Sequence, residues 1–204
     1  MDVSLASIRG IEKLGLPSKL KEWGRLYVMR FKTLQPNFFQ RDTETVAREL
    51  LGKFLVSGTG SDQVAAMITE VEIYAGGDDQ ASHARFGPTK RNQPMFGPGG
   101  FWYVYLVYGL HYMLNVVTGP AGYPAAILIR AVEGCSGPGR VARRFKISKE
   151  QQGQPVAKLS GWWLEDRGVT VLESLIITSP RVGVAYAGDY WTAKPWRLTL
   201  QLPD

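Results

Sequence analysis

The sequence contains few residues that bind metals or form disulfides. Its 204 residues include one cysteine, Cys135, and two histidines, His83 and His111. A single thiol cannot form an intramolecular disulfide, and an iron–sulfur cluster held by four thiolates is impossible. A zinc site built from His and Cys is nearly excluded for the same reason. We therefore expect neither a metal ion nor another cofactor.

Long apolar segments are also missing. No run of apolar residues approaches the ~20 residues that are needed to cross a bilayer. Charged residues such as Arg9, Glu12 and Lys13 interrupt the first twenty positions, where a signal peptide would need a continuous apolar stretch. We expect a soluble protein of a reducing compartment, without a membrane partner.

The composition favours one folded domain that is rich in turns. Hydrophobic residues make up 45% of the chain, with 6 Trp, 9 Tyr and 8 Phe, which is enough for a sizeable core. A disordered chain would be poor in such residues. The 23 Gly and 12 Pro argue against a long helical bundle. The formal net charge of +6 is compatible with a nucleic-acid partner but does not identify one.

The chain divides into an N-terminal extension, residues 1–35, and one mixed α/β domain, residues 36–204. Residues 1–28 have a loose helical spacing of apolar positions, and Met29 could serve as a start of its own. We interpret this extension as a flexible segment, as the product of an upstream start codon, or as a basic arm that contacts phosphates. The remainder of the chain shows no internal repeat.

Local patterns place the main elements of this domain. Asp42 and Thr43 before a set of apolar positions predict an N-capped helix that Gly52 ends. Residues 53–57 and 63–74 read as a hairpin. Other segments are predicted as strands (101–107, 112–118, 125–132 and about 197–200), as a short basic helix (140–147) and as a long ordered loop (76–100). Loops of that length are more often functional than idle.

The strand at residues 68–74 is the first candidate site. Because side chains alternate along a strand, Glu70, Glu72 and Tyr74 share one face while Val71 and Ile73 share the other. If that polar face borders a cleft, one carboxylate could activate a water while the ring supports a flat substrate. A solvent-facing strand edge is the alternative interpretation.

The predicted hairpin at 101–118 has an unusual tip. Hairpin turns normally favour Asn, Asp and Gly, whereas here Tyr108 and Leu110 flank Gly109. These side chains would project an apolar wedge into solvent, and proteins that open a duplex insert such wedges between base steps. A tip that packs against another part of the domain is the alternative.

Two polar residues interrupt apolar strands. Arg130 lies in the strand 125–132 and needs a carboxylate partner, because an unpaired buried guanidinium is very costly. That partner could be Glu133 in a structural pair, or a carboxylate in an active site. Asn115 raises the same question with an amide, and His83 by itself would be an ordinary loop residue. No GxGxxG or P-loop motif is present to support nucleotide-phosphate chemistry.

The order of these motifs resembles the alkyladenine (3-methyladenine) DNA glycosylase family. The matching pieces are TEVEIY (69–74), SHAR (82–85), RNQPMF (91–96), YVYLVYG (103–109), Asn115, LIRAVE (128–133), CSGP (135–138) and RVGV (181–184). No single piece is diagnostic, but the ordered set runs from about Asn37 to the C-terminus and is highly specific.

The resemblance implies a monofunctional enzyme that flips a damaged purine out of duplex DNA and hydrolyses its N-glycosidic bond. By this resemblance Glu72 is the general base that deprotonates the attacking water, with Arg130 and the backbone carbonyl of Val182 as its helpers. No lysine stands at a matching catalytic position, so neither a Schiff base nor strand cleavage is expected.

The resemblance also implies how the substrate is held. Tyr74, His83 and Tyr105 would enclose the flipped base, and Asn115 would crowd the exocyclic amino group of guanine. Tyr108 would fill the vacated place in the stack. Leu110 and Met95 would brace the surrounding groove.

The implied fold is a mixed α/β domain with a curved, mostly antiparallel sheet and a protruding β-hairpin, similar to the C-terminal domain of methionyl-tRNA formyltransferases. The implied partner is double-stranded DNA that contains damaged purines, bound by a monomer in the bacterial cytoplasm at the nucleoid or in a eukaryotic nucleus. The short passage after Glu133 and the presence of Tyr186, where some relatives have histidine, depart from the pattern and concern lesion preference. The competing class is a non-catalytic module that binds distorted DNA or structured RNA.

Overall fold

The computed structural model describes residues 31–202. Most of the extension predicted at residues 1–35 lies outside these described residues. Its last residues include a two-residue strand, Lys32–Thr33, which pairs with a strand from the C-terminal half.

The described part of the chain forms a mixed α/β unit, as predicted, with more strand than helix. Its strands are β1 (Lys32–Thr33), β2 (Phe54–Ser57), β3 (Val64–Ala75), β4 (Trp102–Val107), β5 (His111–Val117), β6 (Ala125–Val132), β7 (Cys135–Ser136), β8 (Trp162–Asp166), β9 (Ile176–Ser179) and β10 (Arg197–Leu200). Its α-helices are α1 (Pro36–Phe39), α2 (Thr43–Leu50), α3 (Pro138–Arg144) and α4 (Asp189–Ala193). Within residues 31–202, no helix combines the length and apolar character that crossing a membrane requires.

The strands form one curled antiparallel sheet in the order β1-β8-β2-β3-β6-β5-β4, with β10 and β9 branching from β3. The 12-residue strand β3 is its centre, because its first part pairs with β2 and its second part pairs with both β6 and β10. The register with β6 shifts between Ile68 and Val71. Such bulges bend a strand and re-aim its side chains, and here the bend includes Glu70 and precedes Glu72 and Tyr74.

The core lies beneath the apolar face of this sheet. Val71 and Ile73 are at most 1% exposed and pack in one cluster with residues of α2, β2, β6 and β8. Helix α2 is amphipathic and begins where predicted, since the Asp42 carboxylate accepts a 2.9 Å hydrogen bond from the Thr45 backbone N–H. Gly52 ends this turn at φ +83°, where a Cβ would lie 2.6 Å from a methyl group of Val171. Only glycine fits that backbone position.

The hairpin of β4 and β5 protrudes from the sheet, as predicted. Val107 pairs with His111, so residues 108–110 form the tip. Tyr108 is 91% exposed and Leu110 is 75% exposed, which rules out a tip packed against the domain. Tyr108 adopts φ +51°, a conformation that is uncommon for a residue other than glycine.

Several elements differ from the predictions, α3 and β8 among them. Helix α3 begins at Pro138, two residues before the predicted start, because Gly137 at φ +101° turns the chain and proline fits the first turn of a helix. Strand β8, which joins β1 to β2, was not predicted from the sequence. The long loop at 76–100 is ordered and contains one-turn 3₁₀ helices at His83–Phe86 and Gln93–Phe96.

Candidate active site

A cavity of about 420 Å³ lies beside the polar face of β3. Its walls come from β3, β4, β5 and β6, from the 3₁₀ helix His83–Phe86, and from residues 182–186 before α4. The bend in β3 and the hairpin therefore bring together residues that are far apart in sequence. The cavity includes nine of the ten predicted site residues: Glu72, Tyr74, His83, Met95, Tyr105, Tyr108, Asn115, Arg130 and Val182.

Glu72 lies at the base of this cavity and is 0% exposed. Its Oε1 accepts a 2.7 Å hydrogen bond from the backbone N–H of Val182, and its Oε2 accepts a 2.8 Å bond from the Tyr74 hydroxyl. Glu72 and Tyr74 therefore lie on the same face of β3, as predicted. Burial raises the pKa of Glu72, while Arg130, the Val182 N–H and Tyr74 oppose that rise. Such a carboxyl is held by polar partners but titrates above its ordinary range.

Arg130 connects two carboxylates of β3. Its Nε lies 3.1 Å from Glu70 Oε1, and its Nη1 lies 3.3 Å from Glu72 Oε1. Glu70 also lies 3.5 Å from Nη1 of Arg197 on the neighbouring strand β10. Arg130 is therefore paired with carboxylates of the candidate site, which was one of the two alternatives that the sequence left open. The guanidinium offsets part of the cost of burying Glu72 and fixes the direction of its carboxylate.

Three rings form the opposite wall. Nδ1 of His83 lies 2.7 Å from the hydroxyl of Tyr103, and its ring meets that of Tyr105 edge to face at 4.6 Å between centroids. Burial first, then the nearby cations Arg91 and Arg85, lower the pKa of His83 to about 4. Burial and then Glu72 raise the pKa of Tyr105 to about 12. The wall is therefore uncharged at neutral pH.

The loop holds His83 through a buried amide. Nδ2 of Asn92, a residue that is 1% exposed, donates to the backbone carbonyls of His83 at 2.8 Å and of Gly87 at 3.0 Å. Ser82 caps the start of the same turn by accepting from the Ala84 N–H at 3.1 Å. The polar loop seen in the sequence is therefore a rigid support for one wall of the cavity.

Asn115 lies on β5, between β4 and β6, and its side chain is fixed in the wall of the cavity. It is 2% exposed, and its Nδ2 donates to the carbonyl of Tyr103 at 3.0 Å. Because this side chain is tied to backbone, it cannot swing away from a bound ring without losing that hydrogen bond.

The predicted DNA-contacting residues Met95 and Leu110 lie in different surroundings. Met95 is 1% exposed and packs with Ala84 and Tyr103, so it faces the cavity interior rather than the outer surface. Leu110 is outside the cavity wall, at the exposed tip of the hairpin.

A buried ion pair that sequence reasoning missed holds the segment that carries Val182. Arg181 binds Asp79 through contacts of 2.6 and 2.9 Å, and both side chains are 0% exposed. The same guanidinium lies 4.8 Å from the ring centre of Tyr74 and donates to the carbonyl of Ile73 at 2.9 Å. These partners are 102 positions apart, so no local pattern could have paired them.

The part of the chain that the structure describes contains no cluster of three or more His, Cys, Asp or Glu residues placed to hold a metal ion. The polar groups of the cavity are instead the carboxylate of Glu72, the guanidinium of Arg130, phenols, the imidazole of His83 and the amide of Asn115. This set can activate a water and enclose a flat ring.

Most of the chain is similar to known proteins. Residues 37–202 match the family described as "Methylpurine-DNA glycosylase (MPG)". A protein of Anaeromyxobacter dehalogenans strain 2CP-C is 48% identical over 171 residues, which cover 80% of this chain and 81% of that protein. A protein of Methanocella arvoryzae is 41% identical over 184 residues, or 80% of this chain and 90% of that protein. Both carry the name "Putative 3-methyladenine DNA glycosylase".

Proposed function

The chain belongs to the methylpurine-DNA glycosylase family, and on that premise we propose that it removes 3-methyladenine, and also hypoxanthine, from double-stranded DNA. The reaction is hydrolysis of the N-glycosidic bond after the damaged nucleotide has been flipped out of the duplex. The observation that carries the proposal is the buried carboxylate of Glu72, fixed by Arg130 and Val182 at the base of an aromatic cavity.

Glu72 acts as the general base. An ionised carboxylate has about four acceptor positions, and here Val182 and Arg130 occupy Oε1 while Tyr74 occupies one position of Oε2. The remaining position of Oε2 accepts a proton from the attacking water. The water oxygen bonds to C1′ of the deoxyribose, and the bonding electrons of the C1′–N bond leave with the purine. Because Glu72 is shielded from bulk solvent, this water is trapped beneath the inserted base.

The aromatic wall selects flat rings. Flipping a nucleotide costs a few kcal/mol, and stacking on aromatic side chains recovers part of that cost. Tyr74, Tyr105 and His83 provide those surfaces, and His83 also hydrogen-bonds the base. Asn115, fixed to the backbone below them, excludes the exocyclic amino group of guanine. The exposed ring of Tyr108 occupies the place that the base leaves in the stack.

The leaving group decides how much assistance the protein must supply. 3-Methyladenine is cationic in DNA and leaves as a neutral base, so water activation by one carboxylate is enough. Hypoxanthine is uncharged and needs a proton or a hydrogen bond on the purine as well. His83 is neutral at pH 7 and lies in the wall where the ring would bind, so it acts on hypoxanthine as a hydrogen-bonding group.

Single-turnover base release tests the proposal. The substrates are methylated DNA and a duplex with one hypoxanthine, and alkaline cleavage reports each abasic site. Glu72→Gln should bind damaged DNA like the wild type but lose at least about 100-fold in rate, as expected for a missing general base. The matched control is Glu70→Gln, which removes the other carboxylate on Arg130 and should keep most of the activity.

Unchanged release by Glu72→Gln would contradict the assignment of the base. Tight and selective binding of damaged DNA by the wild type, with no release from either substrate, would favour the non-catalytic binding module. Gel filtration with and without DNA tests the monomer that we propose.

A further inference from the structure

The rim of the cavity carries an exposed ring to which the proposed reaction assigns no role. Phe86 ends the one-turn 3₁₀ helix that begins at His83, and its side chain is 80% exposed. Exposed phenylalanine is costly in water, with up to a few kcal/mol of transfer free energy. Phe86 lies on the same short element as a residue of the cavity wall, so its position relative to the site is fixed.

The geometry of the turn directs Phe86 toward the side on which His83 faces the cavity. In a 3₁₀ helix, side chains three positions apart lie one above the other, and His83 and Phe86 are three positions apart. Since His83 faces the cavity, Phe86 projects from the same side, one turn further out. The buried Asn92 holds both ends of this turn, through the carbonyls of His83 and Gly87.

Phe86 is part of a preassembled surface. The guanidinium carbon of Arg85 lies 4.5 Å from the ring centre of Phe86 and 5.0 Å from that of Tyr186. Nη1 of Arg85 donates to the carbonyl of Gln80 at 2.9 Å, and the Tyr186 hydroxyl donates to the carbonyl of Ala81 at 3.0 Å. Tyr186 also lines the cavity, so the surface begins at the mouth of the site. A ring held in this way loses little side-chain entropy when it binds.

The charge around this surface fits a polyanion. From Gln80 onward the loop and the whole hairpin, residues 80–132, contain no Asp or Glu, whereas this part of the loop contains Arg85, Lys90 and Arg91. Lysine and arginine near DNA contribute affinity through the phosphates and carry no sequence information. An exposed ring among such cations has the composition of a surface on which nucleobases stack.

We propose that Phe86, with Arg85 and Tyr186, forms a stacking platform for the base adjacent to the flipped nucleotide in the damaged strand. This inference rests on the proposed function, because it places a flipped nucleotide in the cavity. Single phosphodiesters join that nucleotide to its two neighbours, so both neighbours lie at the rim. Tyr108 fills the gap inside the duplex, and the platform holds a neighbouring base on the rim near His83. The platform makes excision depend on the identity of that neighbour, with purines favoured because they stack over a larger area.

Binding to chemically altered duplexes tests the platform. Each duplex carries one 3-deaza-3-methyladenine, an uncharged analogue of 3-methyladenine that resists hydrolysis, so that the intact protein can be used. In further duplexes a tetrahydrofuran spacer replaces the base on the 5′ side, the base on the 3′ side, or the base opposite the lesion. The proteins are the wild type, Phe86→Ala, Phe86→Trp and the control Leu159→Ala, which removes a 97% exposed side chain away from the cavity.

We expect Phe86→Ala to bind the complete lesion duplex about tenfold more weakly than the wild type, within the range for one lost stacking contact. This difference should disappear when one of the two neighbours in the damaged strand is removed. Phe86→Trp and Leu159→Ala should bind like the wild type. Under subsaturating single-turnover conditions, Phe86→Ala should also release base from methylated DNA about tenfold more slowly.

Several results would overturn the platform. They are equal affinity of Phe86→Ala and the wild type for the complete duplex, a difference that persists after each neighbour is removed, and a difference that disappears only when the opposite base is removed. A wild type that binds the lesion duplex no better than an undamaged one would overturn it too. The proposed function fails separately, if wild-type release from methylated DNA is absent or does not depend on Glu72.

Discussion

The carboxylate of Glu72 accepts a 2.7 Å hydrogen bond from the backbone N–H of Val182, a residue 110 positions further along the chain. A backbone donor does not move with a side-chain rotamer, and among substitutions only proline removes it, so it fixes Oε1 as long as the segment that carries Val182 keeps its position. This segment keeps its position because Arg181, the residue before Val182, forms a buried ion pair with Asp79. The position and the hydrogen bonding of the Glu72 carboxylate therefore depend on tertiary contacts as well as on strand β3.

Replacing Arg130 should change the pH dependence of base release. The positive charge of Arg130 lowers the pKa of Glu72, against the larger effect of burial, which raises it above 4.5. Without that charge the pKa rises further, so more of the base is protonated and inactive at a given pH. Because Arg130 also fixes the direction of the Glu72 carboxylate, single-turnover rates of Arg130→Gln on methylated DNA should fall at least about tenfold at pH 7, and the acidic limb of the profile should move to higher pH.

Methylated DNA is the appropriate substrate for this profile, because a cationic purine leaves without being protonated. The acidic limb of the pH–rate profile then reports the protonation of Glu72 alone. Arg197→Gln is the control, since the Arg197 guanidinium pairs with the carboxylate of Glu70 and not with that of Glu72, its backbone neighbour across β3 and β10. An acidic limb at the same pH in Arg130→Gln and the wild type would contradict the electrostatic role of Arg130.

Breaking the buried ion pair should destabilise the fold and disturb the site. Asp79→Asn leaves the Arg181 guanidinium buried without its counter-charge, which costs about 3–5 kcal/mol in comparable cases. Urea denaturation would measure this loss of unfolding free energy. The control, Glu49→Gln, removes one partner of an exposed ion pair with Arg41 and should cost less than about 1 kcal/mol. A similar loss in both variants would show that the buried ion pair contributes no more to the unfolding free energy than an exposed one.

Protonation of His83 in the unfolded chain should make the folded protein less stable in mildly acidic solution. The folded protein keeps this imidazole neutral down to a pKa of about 4, whereas the unfolded chain protonates it near 6.5. The unfolded state therefore binds more protons between these values, and stability falls as the pH falls from 6.5 toward 4. The difference in unfolding free energy between pH 7 and pH 5 should be smaller in His83→Gln than in the wild type. Equal differences in the two proteins would refute this assignment.

Truncating the hairpin tip should weaken capture of the lesion without affecting the fold. Tyr108 is 91% exposed, so Tyr108→Ala should change the unfolding free energy by no more than about 0.5 kcal/mol. Loss of one stacking ring should reduce affinity for a lesion duplex by at least about fivefold. A fluorescent base analogue beside the lesion would report the flipping step. Normal flipping by Tyr108→Ala would count against the wedge.

Much of the local structure followed from the sequence. Asp42 before the apolar positions of α2 and Gly52 after them marked both ends of that helix, because capping is a local interaction. The apolar run of β6 gave its bounds as Ala125–Val132, and the alternation in β3 placed Glu72 and Tyr74 on one face. The order of motifs led to the family, which the match over residues 37–202 confirms.

The sequence alone did not determine the partners of the polar groups. Nothing local indicated that Arg130 would bind Glu70 and Glu72 rather than Glu133, that Arg181 would bury Asp79, or that Met95 would face inward. Capping and alternation arise between residues a few positions apart, so the chain reveals them directly. Ion pairs and cavity walls form between segments that meet only when the sheet curls, so only the tertiary structure decides them.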